Sequence, residues 1–455
     1  MENISNTAPQ KQKTAGVLNI IANVLTKFVS RYLPDAYVLA VVLTLVIFAA
    51  GVLFTESTAL QMVEYWGDGL WSMMTFTMQM CLVIVTGHAL ASTNPVQKLM
   101  QRIALSVQNP PVVAATVALF SAVMCSIQWG FGLIVSAMLA REFARRVEGV
   151  DYRVLIAAAY MGFMTWHGGL MASIPLVAAT DGHLLQSITG IIPVSETIFS
   201  GYNAITIFSL FIVLPIIAYL IHPKGKDVVT VDPKILAQVE IIVEKQEHPT
   251  IANRLENSRI LAYSVGLLGF SYIGYLWFTQ GFKLDLNIGN MLFLCLGIIL
   301  HGSPIAYASA IKNGAVATSS VILQFPFYGG IQYMMEESSL GADITLWFVE
   351  SASASTYAVW TFFASALVNF FVPSGGGHWI VQGPLIMPGA VELGVDLGKT
   401  AMAIAYGDMW SNMAQPFWAL PALAVAGLGI RDIMGFTITA MLVTLPIFMI
   451  TLTFF

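Results

Sequence analysis

Charged side chains are scarce in this sequence of 455 residues: Asp, Glu, Lys and Arg make up 10% of it and hydrophobic residues 57%. Soluble domains carry about 25% charged residues. Mean hydropathy is +0.76. We therefore predict an all-α polytopic membrane protein, because a helix satisfies its own backbone hydrogen bonds in lipid.

Other absences narrow the function. The three cysteines, Cys81, Cys125 and Cys295, lie in apolar runs, which predicts small core residues and neither a disulfide nor a metal site. There is no basic patch for nucleic acid, no cleavable signal pattern and no ATP-binding loop. No nucleophile–base set or metal-ligand cluster suggests an enzyme, and we expect no cofactor beyond a coupling ion, Na⁺ or H⁺.

Positive residues mark the cytoplasmic side of a membrane protein. One topology places every Lys and Arg on the inside except Lys283 and Lys399. This topology predicts a cytoplasmic N-terminus. An acidic loop with Glu56, Glu64 and Asp68 is expected before a span that begins at Leu70. Later spans are expected near 260–279, 288–308 and 315–335. The predicted units are a tail with an amphipathic surface helix (1–33), a first repeat (34–221), a cytoplasmic linker (222–259), a connecting span (260–287) and a second repeat (288–455).

Each predicted repeat contains a hairpin that enters and leaves on one side. The block 112–140 is too long for one span of about 20 residues and too short for two, so we predict a re-entrant hairpin with its tip at Gln128–Gly132. The second hairpin, about 357–391, has acidic flanks and contains Pro-Ser-Gly-Gly-Gly-His-Trp at 373–379. Glycine costs about 1 kcal/mol per helical position, which predicts that this stretch is not helical.

An interrupted span follows each hairpin, at 154–179 and at 400–426, where glycines and prolines break apolar sequence. The shared order and the opposite-sided flanks predict inverted-topology repeats. Inverted repeats with broken helices that meet near the bilayer midplane are typical of secondary transporters. At such breaks, helix N-termini bind anions and exposed carbonyls bind cations.

Four stretches resemble the short-chain fatty acid transporter family, the bacterial acetoacetate and butyrate carriers. They are Gln-Trp-Gly-Phe-Gly-Leu-Ile at 128–134, Leu-Gln-Phe-Pro-Phe-Tyr at 323–328, the stretch 373–379, and Val-Gln-Gly-Pro at 381–384. Relatives commonly carry Asn where this chain has Gln128, and Gln where it has His378. The resemblance implies the ion-transporter superfamily, a homodimer in the bacterial inner membrane, and a mobile transport domain that moves like an elevator against a static scaffold.

Two sets of residues are candidates for the site. The substrate carboxylate is expected at the two hairpin tips, on Gln128, Trp129, Gly130, Ser374, Gly375, Gly376, Gly377, His378, Trp379 and Gln382. The coupling ion is expected at the two interrupted spans, on Asp408, Ser411, Asn412 and His167. Packing of small residues and tryptophans is the alternative interpretation of the tips, and a buried, hydrogen-bonded histidine is the alternative for His167. An acid inside a span, such as Asp408, is a functional candidate by default.

These features predict a secondary importer of short-chain monocarboxylates such as butyrate or acetoacetate, coupled to H⁺ or Na⁺. A dicarboxylate or amino-acid anion carrier is one alternative, but neither break carries the Arg or Lys that a second carboxylate would need. An anion channel is another alternative, and the paired interrupted spans favour alternating access over it.

Overall fold

The computed structural model describes residues 17–32, 34–181, 183, 185–231, 250–282, 286–373 and 375–455. These residues form helices and loops, with no strand among them. In chain order the helices are α1 (Val17–Tyr32), α2 (Ala36–Phe54), α3 (Ala59–Ser72), α4 (Met74–Ala91), α5 (Asn94–Ser106), α6 (Pro110–Ile127), α7 (Trp129–Arg146), α8 (Tyr152–Met161), α9 (Ser173–Ala178), α10 (Gln186–Thr189), α11 (Gly201–Ile221), α12 (Ile251–Glu256), α13 (Arg259–Gln280), α14 (Leu286–His301), α15 (Pro304–Ala315), α16 (Ser319–Glu337), α17 (Leu340–Glu350), α18 (Tyr357–Val368), α19 (Gly375–Glu392), α20 (Leu397–Ser411), α21 (Ala419–Ala426) and α22 (Ile430–Phe454).

Seven stretches of the described chain are long and apolar enough to cross a membrane. They are Tyr37–Phe54, Ala59–Ala91, Pro110–Ile127, Tyr152–Ala178, Gly201–Ile221, Arg259–Gln280 and Ile430–Phe454. This confirms a multi-pass helical membrane protein. Most of the predicted linker lies outside the described residues, and α12 follows the gap.

The helices pack into two groups. The hairpin body contains α1, α6–α11 and α17–α22, and the companion body contains α2–α4 and α13–α16. Within the companion body, α3 and α16 approach closely: a Cβ on Gly69 would lie 2.7 Å from the carbonyl oxygen of Gly329. Helix α5 lies between the bodies. In the hairpin body, α1 packs along α22, where Thr26 fills the space beside Gly435.

Two predictions about the companion body were wrong. The expected acidic loop is helix α3, which carries Glu64 and Asp68 and starts at a capping box between Thr58 and Gln61. The expected span 288–308 is two helices, α14 and α15. Gly302 adopts a left-handed φ of 73° between them, and the Ser303 side chain then caps α15.

The order of elements in the hairpin body occurs twice. A helical hairpin (α6–α7), a broken helix (α8–α9) and a closing helix (α11) are followed later by a second hairpin (α18–α19), broken helix (α20–α21) and closing helix (α22). Both broken helices pack against a hairpin. The opposite orientation of the two sets in the membrane stays a prediction.

Candidate functional site

The first hairpin turns at a single residue. Gln128 has extended backbone (φ −151°, ψ 110°), and its side-chain oxygen accepts a hydrogen bond from the N–H of Phe131. The predicted tip, Gln128–Gly132, was therefore too wide, because Trp129 already begins α7. Both arms close tightly: a Cβ on Gly132 would lie 2.5 Å from the backbone nitrogen of Cys125. The tip is a helix start capped by its own side chain.

The first broken helix changes from α to 3-10 geometry over Gly162–Gly168, as predicted for this interrupted span, and all seven of these residues are buried. The chain then becomes extended at Gly169, where a Cβ would lie 2.1 Å from the carbonyl oxygen of Ser126 in α6. The same carbonyl accepts from the N–H of Leu170 at 2.7 Å. This close packing fixes His167 at the end of the 3-10 turn.

The second hairpin is broken before the glycines. Helix α18 ends at Val368, the break runs from Asn369 to Pro373, and α19 starts at Gly375. The prediction that the glycines lie outside a helix was wrong, since Gly375–Gly377 form its first turn. Glycine at position 375 permits a close contact between helices, because a Cβ there would lie 2.9 Å from the imidazole Cε1 of His167. Ser374 lies outside the described residues.

The two broken helices meet at a buried acid–histidine pair. Nε2 of His167 lies 2.9 Å from Oδ2 of Asp408, and both side chains are fully buried. The other carboxylate oxygen accepts from Nδ2 of Asn412 at 3.2 Å. The structure therefore gives His167 a partner that sequence reasoning did not identify, the carboxylate of the other half.

Asn369 in the second tip connects the residues that surround the His167–Asp408 pair. Its Nδ2 lies 3.0 Å from the backbone oxygen of Asp408, 2.9 Å from Oγ of Ser411 and 2.8 Å from Oδ1 of Asn412. The four predicted coupling residues are thus brought together. Sequence reasoning missed Asn369, although a lone Asn in the apolar run 360–372 was a usable signal.

An aromatic cluster joins the two tips. Trp129 lies 4.9 Å from Trp418 and 5.6 Å from Trp166, measured between ring centroids, and Phe163 stacks on Trp166 at 4.8 Å. Nε1 of Trp418 donates to the carbonyl of Pro373 at 2.6 Å. The tips are therefore close, and sequence reasoning missed Trp418, which follows Pro416 in the second broken helix without a distinguishing pattern.

The remaining candidates at the tips fall into two groups: residues held by hydrogen bonds or packing, and one residue with open space beside it. His378 Nε2 lies 3.0 Å from Oγ of Ser365 and 2.7 Å from Oε1 of Gln382, and Gln382 donates to Thr345 at 2.9 Å. These bonds connect α17, α18 and α19. Trp379 is buried and Gly130 packs against Val83. By contrast, a Cβ on Gly376 would meet only open space.

Together these elements define a polytopic membrane protein in which two broken helices and two hairpin tips surround one buried carboxylate. Residues 17–455 match the family model described as "Short chain fatty acid transporter". The chain belongs to the short-chain fatty acid transporter family, a family of transporters, as its motifs predicted.

Two relatives are named "Putative short-chain fatty acid transporter". The protein from Escherichia coli (strain K12) is 51% identical over 437 residues, which cover 96% of this chain and 99% of the relative. The protein from Haemophilus influenzae (strain Rd) is 48% identical over 446 residues, 96% of this chain and 100% of the relative. Among solved structures, the YdaH transporter of Alcanivorax borkumensis has a TM-score of 0.45 and 15% identity, over 92% of this chain and 97% of that one. That structural likeness is too weak to carry an inference.

Proposed function

We propose that this protein imports short-chain monocarboxylates, such as butyrate or acetoacetate, together with protons. The observation that carries the proposal is the buried contact between His167 and Asp408, with Gly375 of the second tip packed against the same imidazole. Substrate and coupling ion would then occupy adjoining positions and bind as one unit.

The carboxylate binds at the N-terminus of α19. This 18-residue helix directs its positive dipole end toward the pair. Nε1 of Trp166 is buried and has no hydrogen-bond partner in the described part of the chain, and a Cβ on Gly375 would lie 3.0 Å from the ring of this Trp. Space beside Gly376 leaves room for the anion.

One negative charge suits this site better than two. The described contacts of the pair come from His, Asn and Ser side chains, and none comes from Lys or Arg. Burying an anion without compensation is costly, so a second carboxylate would need a fixed cation. This favours a monocarboxylate over a dicarboxylate or amino-acid anion.

The proton resides on the His167–Asp408 pair. Each oxygen of Asp408 already has one side-chain neighbour, His167 or Asn412, and imidazole and carboxylate are both groups that can bind a proton. A proton added to the pair offsets the charge of the bound carboxylate, so the loaded site carries the same net charge as the empty site and the transport cycle moves no net charge. Na⁺ prefers a cage of oxygen atoms, and the direct imidazole contact favours H⁺ over it.

Movement follows the elevator pattern that the family resemblance implies. The hairpin body carries the site and slides against the companion body, in a homodimer of the bacterial inner membrane with a cytoplasmic N-terminus. The separation of the helices into two packed bodies supports this assignment.

Uptake of labelled butyrate into proteoliposomes, with pH and Na⁺ gradients imposed separately, tests the proposal. We expect accumulation when the outside is more acidic, and loss of accumulation with a protonophore. Accumulation driven only by Na⁺ would contradict the proton step and leave the substrate class standing. Conductance without accumulation would indicate a channel, and no movement of any monocarboxylate would contradict the proposal as a whole.

A further inference from the structure

Helix α16 carries a line of polar residues, two of which contact the hairpin body. They are spaced four apart, so they fall on nearly the same side of the helix. We name this set the polar stripe: Gln324, Tyr328, Gln332 and Glu336. At 19 residues α16 is long enough to span a membrane, yet it is not among the seven stretches apolar enough to do so.

Three consecutive members of the stripe have buried polar atoms without a hydrogen-bond partner among the described residues. These atoms are Oε1 of Gln324, Oη of Tyr328 and Oε1 of Gln332. Buried polar atoms are nearly always paired, and an unpaired one is costly. Two of the three are amide oxygens, which only accept hydrogen bonds and need a donor such as water, whereas the Tyr328 hydroxyl can donate to an anion. Three such atoms on one helix face therefore suit a path that holds water as well as an anion.

Two members of the stripe, Gln332 and Tyr328, contact residues next to the site. A Cβ on Gly377 would lie 2.5 Å from Nε2 of Gln332. Tyr328 makes an edge contact with Phe417, beside Trp418, at 5.1 Å between centroids. The open space beside Gly376 lies next to the contact between Gly377 and Gln332. The other faces of α16 are used differently: Gly329 packs on α3 and Ile322 is exposed.

The donors on the stripe suit an anion. A carboxamide NH₂ group carries two protons, and Glu336 accepts from Nε2 of Gln332 at 2.8 Å, which accounts for one of them. The Tyr328 hydroxyl also carries a proton. We propose that the polar stripe is the companion-body wall of the carboxylate path, with Gln332 and Tyr328 donating to the anion beside the N-terminus of α19 and Gln324 continuing the path along α16. This inference rests on the proposed function for the identity of the anion.

Butyrate binding to the purified protein is the first test. Gln332→Leu and Tyr328→Phe should each weaken binding about tenfold, the effect of one lost hydrogen bond to a charged group. The matched controls Gln79→Leu and Tyr275→Phe remove the same groups elsewhere in the companion body, and both should bind butyrate within about twofold of the unaltered protein. If both stripe variants bind butyrate as tightly as the unaltered protein and butyrate is still transported, the stripe does not contact the anion. The proposed function would then remain intact.

Thiol labelling tests the path without a known substrate. The unaltered protein, with its three buried cysteines, measures the background labelling, and single substitutions Gln324→Cys and Gln332→Cys are compared with it using a membrane-impermeant maleimide. Both should label, whereas Ile322→Cys on the exposed face should not, because lipid excludes the reagent. Failure of both stripe cysteines to label in correctly folded protein would overturn the proposal whatever the substrate is.

Discussion

The first hairpin turns at one extended residue, Gln128, whereas the second turns over a longer break that includes Asn369 to Pro373. In the first, a side chain satisfies the start of the following helix. In the second, the start of the helix packs against the imidazole of His167, with open space at the next residue. The two hairpins therefore differ in their surroundings, which supports the proposal of an anion at the second tip and predicts a structural role for Gln128.

The largest expected effect comes from the carboxylate shared by the two halves. Asp408→Asn keeps the size of the side chain and removes its charge, so accumulation of butyrate driven by a pH gradient should fall to the level of empty liposomes. Asp343→Asn, at an exposed acid on α17, is the matched control and should retain accumulation. Full accumulation by Asp408→Asn in folded protein would remove this residue from the coupling site.

Neighbouring glycines give the next test of the second tip. Gly375→Ala places a methyl group 2.9 Å from the ring of His167. Overpacking of this kind typically costs 1–3 kcal/mol, so uptake should fall about tenfold or more. Gly376→Ala adds the same group in the open space proposed for the anion, so it should raise KM for butyrate and leave the maximal rate within about twofold. Equal losses in both variants would show that helix geometry, and not the contact with His167, is what matters.

A substitution at the first tip should change the stability of the protein more than its transport activity. Gln128→Ala removes the cap of α7, which should lower the free energy of unfolding by about 1 kcal/mol, as for other N-caps. Thermal unfolding and butyrate binding measured on the same sample check this. A large loss of binding with unchanged stability would return Gln128 to the substrate site, where the sequence placed it.

A smaller, pH-dependent effect is expected at His222, which follows α11. Burial lowers the pKa of this imidazole, although its hydrogen bond to the Pro223 carbonyl and the charge of Asp151 oppose the shift. Its Nε2 accepts from the N–H of Asp151 at 3.0 Å, which only the neutral ring can do.

Because the folded-state pKa of His222 lies below its ordinary value, the folded protein binds this proton more weakly than the unfolded chain. Its contribution to stability is therefore present above about pH 6.5 and is lost as the pH falls from there through the folded pKa. His222→Gln should flatten the dependence of the unfolding temperature over this acidic range. An unchanged pH profile in the variant would assign the dependence to other groups.

The site residues that could be predicted from the sequence were those that interrupt an apolar span. An acid in an apolar span, Asp408, and paired glycines before a proline are rare enough to mark interruptions, and the structure has interruptions there. Asn369 was missed although it is the lone Asn of its apolar run, and Trp418 was missed because one Trp in such a run carries no distinguishing pattern. Their roles depend on residues about 40 positions away that only folding brings near.

Helix boundaries were less predictable where two effects compete. The glycines at 375–377 have poor helix propensity, yet they begin α19 because a larger residue would collide with His167 at Gly375 or with Gln332 at Gly377. Propensity is local, whereas such steric demands arise from other helices. The same limit applies to α3, whose capping box outweighed its acidic composition.

Composition and periodic interruption alone determined that this chain is a helical membrane protein with two broken segments in each half, since lipid leaves few ways to satisfy a backbone. Its motifs determined the family. Only the tertiary structure decided that His167 faces Asp408, that Trp418 connects the tips and that Gln332 of α16 packs against the first turn of α19. Contacts between distant segments depend on how whole helices pack, and no local pattern of residue types records that packing.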